Sequence, residues 1–319
     1  MMEKIEKESN LKSKTDKILY TTLGPRRADQ LGMILPHEHV FVDLRRWCEP
    51  GYGQAEAAEV VALMKPEIEK ARAQGISAIV ECSTGGVGRR ADLDRAVSVA
   101  TGLPIVVPTG WYREPWIPDD IKAAPEAQLH DTMLAELQVD IKGTGVKAAW
   151  IKLSAGDNGL TPAETKILRA AARAARATGA VIGSHTIRGW VVKDQAAILE
   201  AEGFDLSRFI WIHAQAEPDF AIHEEMARRG VWIEYDNLGN TPDEAHIERI
   251  QRLLAAGFAD RILLSHDRGW FDPAKPAGGT PKPYTHLVET FLPKLRSAGV
   301  DEATIRLLTA TNPFSAFSR

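Results

Sequence analysis

The stretch MILPHEHVF, residues 33–41, decides the reading of this chain: an apolar run of strand length that closes on His37-Glu38-His39. Alternation along a strand sends residues i and i+2 to one face, so the two imidazoles share a side while Glu38 points away from it. Two neutral imidazoles on one face begin a divalent metal site. The pair alone is only moderately specific, since packing histidines also occur at this spacing.

Working outward, short apolar runs alternate with longer stretches of helical periodicity, the pattern of repeated β-loop-α units. Eight runs read as strands: Met33 to Phe41, Ser77 to Cys82, Pro104 to Gly110, Ala148 to Leu153, Ala180 to Ser184, Phe209 to Ile212, Val231 to Tyr235 and Ile262 to Ser265. Between them, Glu56 to Gln74, Pro125 to Ile141, Pro162 to Thr178, Asp219 to Arg229 and Asp243 to Ala256 read as helices, the third with Pro near its start and Gly179 after its end. Nearly continuous apolar strands imply a parallel sheet covered by helices, and eight such units most often close into an α/β (β/α)8 TIM barrel. An open doubly wound sheet is the alternative. No Gly-x-Gly-x-x-Gly turn follows the first strand, and Gly85, Gly86 and Gly88 after the second have the wrong spacing for a phosphate loop.

The 319 residues suit one such barrel with loop insertions, so the expected organisation is a charged tail over residues 1–20 and a single metal-dependent hydrolase barrel domain over 21–319. A net charge of -4 provides no broad basic surface, which argues against nucleic acid as a partner. The opening MMEKIEKESNLKSKTDK lacks the apolar core of a secretory signal, and no run reaches the roughly 20 apolar residues of a membrane span. Cys48 and Cys82 form no disulfide framework, and a reducing cytoplasm fits them. Asp272 to Pro283, the one Pro/Gly-rich stretch, is expected to be an active-site loop after the eighth strand.

Further candidate ligands fall at C-terminal strand ends, the face where barrel enzymes place their chemistry. Lys152 ends the fourth strand, His185 the fifth, His213 the sixth, and Asp267 follows the eighth. Singly, each has a bland reading as a packed histidine or a helix cap. Jointly, coincidence explains them poorly. An ammonium at Lys152 would be repelled by two cations, but a desolvated lysine is a nucleophilic amine that can add carbon dioxide, giving a carbamate able to bridge two metals.

At these residues the chain resembles the phosphotriesterase family of the amidohydrolase superfamily, in its lactonase and carboxylesterase type. The resemblance runs from Thr21 to Phe317 and is carried by Gly32 to His39, Gly143 to Leu153, Ser184-His185-Thr186, Ile212-His213, Leu264-Ser265-His266-Asp267 and Thr311-Asn312-Pro313. It implies a distorted barrel with two divalent metals, commonly zinc, joined by a carboxylated lysine and a hydroxide. It further implies that His37, His39 and Asp267 bind the more buried metal, that His185 and His213 bind the more exposed one, and that carboxylated Lys152 bridges them. Asp267 would accept the proton of the attacking hydroxide, and the protein would be a homodimer.

The resemblance places Tyr112, after Thr109-Gly110-Trp111, where lactone-hydrolysing relatives carry tyrosine. Asn237 and Ala216 stand where organophosphate-degrading members relay a proton through His and Asp, and neither can relay one. Strand-end loops also carry Arg45, Trp47, Arg113, Trp116, Arg188, Trp190, Arg268 and Trp270, a pattern suited to a small substrate with an anionic group and an apolar part. The expected substrate contacts are Trp111, Tyr112, Arg113, Arg188, Asn237, Arg268 and Trp270; for the arginines, pairing with neighbouring acids is the alternative. His130, His223, His246, His266 and His286 read as surface or packing residues. The reading is hydrolysis of a carboxylic ester or lactone. An amide or phosphoester hydrolase is the rival within enzymes, and an inactive metal-retaining binding protein the rival outside them.

Overall fold

The computed structural model describes residues 17–319, so most of the charged tail, residues 1–16, lies outside the described residues. Ten strand segments carry the fold: β1 Met33–Phe41, β2 Ile76–Glu81, β3 Ile105–Val106, β4 Pro108–Thr109, β5 Trp150–Ser154, β6 Ile182–His185, β7 Phe209–Ile212, β8 Trp232–Tyr235, β9 Ile262–Leu264 and β10 Gly269–Phe271. All strand pairs are parallel, in the orders β10-β1-β2-β3 and β4-β5-β6-β7-β8-β9. β3 and β4 are two halves of the expected third strand, which breaks at Val107 because Pro108 has no N–H for the ladder. The Val107 carbonyl still accepts from Ala149 N at 2.9 Å, linking the two sheets. At the other seam, Asp267 N donates to the His37 carbonyl at 3.2 Å and His39 N to the Arg268 carbonyl at 2.9 Å. Strand order thus follows sequence order around a (β/α)8 barrel.

The main helices are α1 Ala57–Ala73, α2 Ala91–Thr101, α3 Asp119–Ala123, α4 Glu126–Gln138, α5 Pro162–Thr178, α6 Gly189–Ala201, α7 Phe220–Arg228 and α8 Asp243–Ala255. α5 shows why its sequence starts and stops where it does. Thr161 Oγ1 accepts from Glu164 N at 3.2 Å, the Glu164 carboxylate accepts from Thr161 N at 3.0 Å, and Gly179 ends the helix at φ 71. Alternation along the strands sorts two cores. Ile79, Ile105, Trp211 and Ile233 pack outward against the helices, while Val80, Val106, Trp150 and Ile210 fill the lumen, which Phe314, Phe317 and Leu19 plug at the N-terminal end.

Three expectations need correction. The tail does not extend to residue 20: Ile18 exchanges two backbone hydrogen bonds with Arg319, and Leu19 is fully buried, because the lumen needs an apolar plug. The segment 272–283 does not line the site, because Gly269 and Lys282 pair and fold it back, leaving only Trp270 of this region on the cavity wall. Lys152 lies within β5 rather than at its end. Cys48 is exposed and Cys82 buried, both free. Among the described residues no helix is long and apolar enough to cross a membrane.

Candidate metal centre

β1 delivers His37 and His39 to one face with ring centroids 5.5 Å apart, as the i, i+2 spacing requires. β7 ends in His213, held at φ 65, whose ring lies 5.1 Å from His37 and 4.3 Å from His185 at the end of β6. Asp267 adopts φ 56 after β9, so three ligand atoms, one each from His37, His213 and Asp267, lie within 4.8 Å of one another. His213, Asp267 and Trp270 are three of five non-glycine residues with positive φ among the described residues, so backbone strain concentrates at this mouth. His37, His39, Lys152, His185, His213 and Asp267 all line one cavity of ≈ 300 Å³.

Each of three imidazoles has its Nδ1 committed. His37 Nδ1 meets Glu234 Oε1 at 2.7 Å and Asp236 Oδ2 at 3.3 Å. His213 Nδ1 meets Asp236 Oδ1 at 2.6 Å. His39 Nδ1 meets Ser83 Oγ at 2.8 Å, and since that hydroxyl donates to the Phe41 carbonyl at 2.6 Å, it accepts from the imidazole. Asp236, held well below the usual carboxylate range by His213 and His37 against its burial, only accepts, as does Ser83 Oγ toward His39, so all three Nδ1 atoms carry hydrogen and each Nε2 is left to bind a cation. A trio of His37, Glu234 and Asp236 is equally close, but its atoms are those Nδ1 hydrogen bonds themselves.

The electrostatics also call for a cation. Burial alone would depress His39, yet Asp267 Oδ1 at 3.1 Å from its Nε2 and Glu81 Oε1 at 3.3 Å from its Nδ1 hold it protonated up to about 9. His37 goes the other way, down to about 4, through burial and the nearby Lys152. Burial and the neighbouring His213 push His185 well below its usual range. Burial would raise the Asp267 carboxyl, but His39 and His37 outweigh it and hold it below the usual range. Its Oδ1 is buried without a hydrogen bond of good geometry. Lys152 is 2% exposed and forms no ion pair among the described residues, its Nζ lying 5.8 Å from the Trp150 ring centre. The donor set fits divalent metal.

Of the expected substrate contacts, Tyr112, Arg113 and Trp270 line the cavity. Tyr112 Oη lies 3.1 Å from His185 Nδ1, and burial pushes the phenol up to about 12, so it keeps its proton. Asn237 lines a neighbouring hollow. Trp111 is buried in the core against Gly85 and does not face the site. Arg188 is exposed at the start of α6, outside the cavity. Arg268 donates to the Gly239 carbonyl at 2.6 Å and to Asn240 Oδ1 at 3.4 Å, which takes it out of the cavity. Arg45 pairs with Asp43 at 2.7 Å, whereas Trp116 completes the cavity wall. Sequence reasoning did not find Glu81, Ser83, Glu234 and Asp236. The signal was available: Glu234 and Asp236 repeat at the end of β8 the i, i+2 spacing of His37 and His39.

A sequence model of the phosphotriesterase family matches residues 17–317. The "Phosphotriesterase homology protein" of Mycobacterium tuberculosis is 30% identical, over 94% of this chain and 98% of that protein. The "N-acetyltaurine hydrolase" of Rattus norvegicus is 26% identical over 92% of this chain and 95% of its own length. A mutant of a Deinococcus radiodurans PTE-like lactonase superposes with a TM-score of 0.84 at 32% identity, covering 94% of this chain and 99% of that one.

Proposed function

Because this chain belongs to the phosphotriesterase family of hydrolases, we propose that it hydrolyses small carboxylic esters or lactones at a two-metal centre. In this reading His37, His39 and Asp267 would hold one cation, His185 and His213 the other, and Lys152, carboxylated on Nζ, would serve both. Two divalent ions, zinc in this reading, would supply an activated water and polarise the scissile oxygen. The observation that carries the proposal is the orientation of His37, His39 and His213, whose Nδ1 acceptors leave three Nε2 atoms for metal.

The protein's own groups have definable tasks. Asp267, ionised and facing the cavity, can take the proton released by the attacking water. Tyr112, protonated and facing the cavity, can donate to the substrate oxygen. Arg113 reaches the Ala155 carbonyl and Asp157 Oδ1 only at 3.4 and 3.5 Å, leaving most of its guanidinium for an anionic group. A cavity of ≈ 300 Å³ suits a small substrate. Hydrolysis of an amide with an anionic group is the second reading, supported by Arg113 and by the name of the rat relative.

The test is metal content per chain together with rates on lactones, anionic esters, amides and phosphotriesters. We expect two metals per chain, ester or lactone turnover, and a loss of about 10³-fold or more in kcat for Asp267→Asn with the fold retained. A protein that binds no metal and gains no activity on metal addition would overturn the proposal. Persisting ligand binding with an unchanged rate in Asp267→Asn would favour an inactive binding protein.

A further inference from the structure

His185, His213 and Asp267 line not only the metal cavity but also a second hollow of ≈ 570 Å³ on their other side. α8 contributes Arg249 and His246 to it, and the segment after β8 contributes Asn237. Among the described residues Arg249 forms no ion pair, and its Nη1 donates to the Ala245 carbonyl of its own helix at 2.9 Å. His246 is 1% exposed; its Nε2 meets Thr241 Oγ1 at 2.8 Å, while its Nδ1 has no hydrogen bond of good geometry among the described residues. The Asn237 carboxamide reaches Thr241 Oγ1 only at 3.5 Å. Among the described residues, Asp267 is the one carboxylate lining this hollow, and it belongs to the metal cage. Arg45, by contrast, is tied to Asp43, and Arg268 to a backbone carbonyl.

A guanidinium without an acid, in a hollow that shares its wall with the metal cage, has the makings of an anion receptor. We propose that Arg249, assisted by Asn237, binds a carboxylate carried by the substrate at a distance from its scissile bond. This rests on the hydrolase reading above and narrows it to esters, lactones or amides of dicarboxylic-type acids. A cation so placed selects such substrates over neutral analogues of equal size, because a neutral amide leaves the guanidinium desolvated without a counter-charge.

The test uses metal-loaded protein and two probes of equal length, glutarate and its monoamide glutaramate, with affinities measured by calorimetry. Glutarate should bind at least about 10-fold more tightly, the range of one charge-assisted contact. Arg249→Leu should abolish the preference without changing glutaramate affinity, and Arg249→Lys should keep part of it. In parallel, Arg249→Leu should raise KM for monomethyl glutarate about 10-fold with little change in kcat, and leave dimethyl glutarate unaffected. Absence of a preference in the parent protein, or its survival in Arg249→Leu, overturns the receptor. If the preference behaves as expected but no ester or amide is hydrolysed, the receptor stands and the hydrolase reading falls.

Discussion

Asp236 accepts from His213 Nδ1 at 2.6 Å, from His213 N at 2.9 Å and from Gln215 Nε2 at 2.7 Å, and one oxygen also lies 3.3 Å from His37 Nδ1. An amide at this position would turn an NH2 group toward at least one of these donors, forcing an imidazole to rotate or change tautomer. Asp236→Asn should therefore weaken metal retention by about 10- to 100-fold in chelator competition while leaving circular dichroism unchanged. Equal metal affinity would show that the carboxylate does not set imidazole orientation. This residue also marks what the sequence could tell. The candidate ligands were legible because His and Lys are rare at strand ends and two of the histidines stand at i, i+2 spacing. The acids behind them were not, because Glu and Asp at strand ends are common caps, and only their partners on other strands reveal their role. Arg188 and Arg268 failed as predicted contacts for the same reason: position in a loop does not say where a long side chain is satisfied.

At the scale of elements, the strip β10 holds Asp267 in place. Glu38, on the outer face of β1, accepts from Ser265 Oγ at 2.8 Å, His266 Nδ1 at 2.6 Å and Arg268 N at 2.9 Å, so one buried carboxylate fixes both sides of residue 267. Gly269 then runs at φ 96 against β1, where a Cβ would collide with the His39 carbonyl and Tyr284 Oη. Gly257 has φ 85 with open space around it, so Gly257→Ala carries the backbone strain alone, about 1 kcal/mol. Gly269→Ala should cost at least about 2 kcal/mol more, because β1 or Tyr284 must move, and metal binding should weaken with it. Denaturant unfolding of both variants checks this; equal costs would mean that the contact yields freely. The eight main strands were legible from apolar runs, and α5 from its Thr, Pro and Gly punctuation. β10, with three residues, is too short for periodicity to register, and the Pro/Gly content of 272–283 announces a loop without saying that Lys282 returns to Gly269.

Across the whole molecule, the pH dependence of stability is set in part by histidines that are not among the candidate metal ligands. His223 is fully buried between Tyr235 Oη at 2.9 Å and the Glu217 carbonyl at 3.1 Å, and burial pushes it down to about 4. His246 is lowered for the same reason. The unfolded chain takes up a proton on each near pH 6.5 while the fold resists, so stability is fully present above about 6.5 and is lost as pH falls toward 4. From pH 7 to 5, His223 alone should account for about 2 kcal/mol of lost stability. His39 has the opposite sign in the metal-free chain, since its pKa, raised to about 9, stabilises below 6.5 and fades as pH rises through 9. Loading the site with metal displaces that proton and removes the opposing effect, so the measurement belongs on metal-loaded protein. His223→Gln can still donate to the Glu217 carbonyl and accept from Tyr235 but cannot titrate. Its unfolding free energy should fall by about 2 kcal/mol less than the parent's between pH 7 and 5. Equal slopes in the two proteins would mean that His223 is solvated or protonated within the fold, and that acid sensitivity comes from the carboxylates instead.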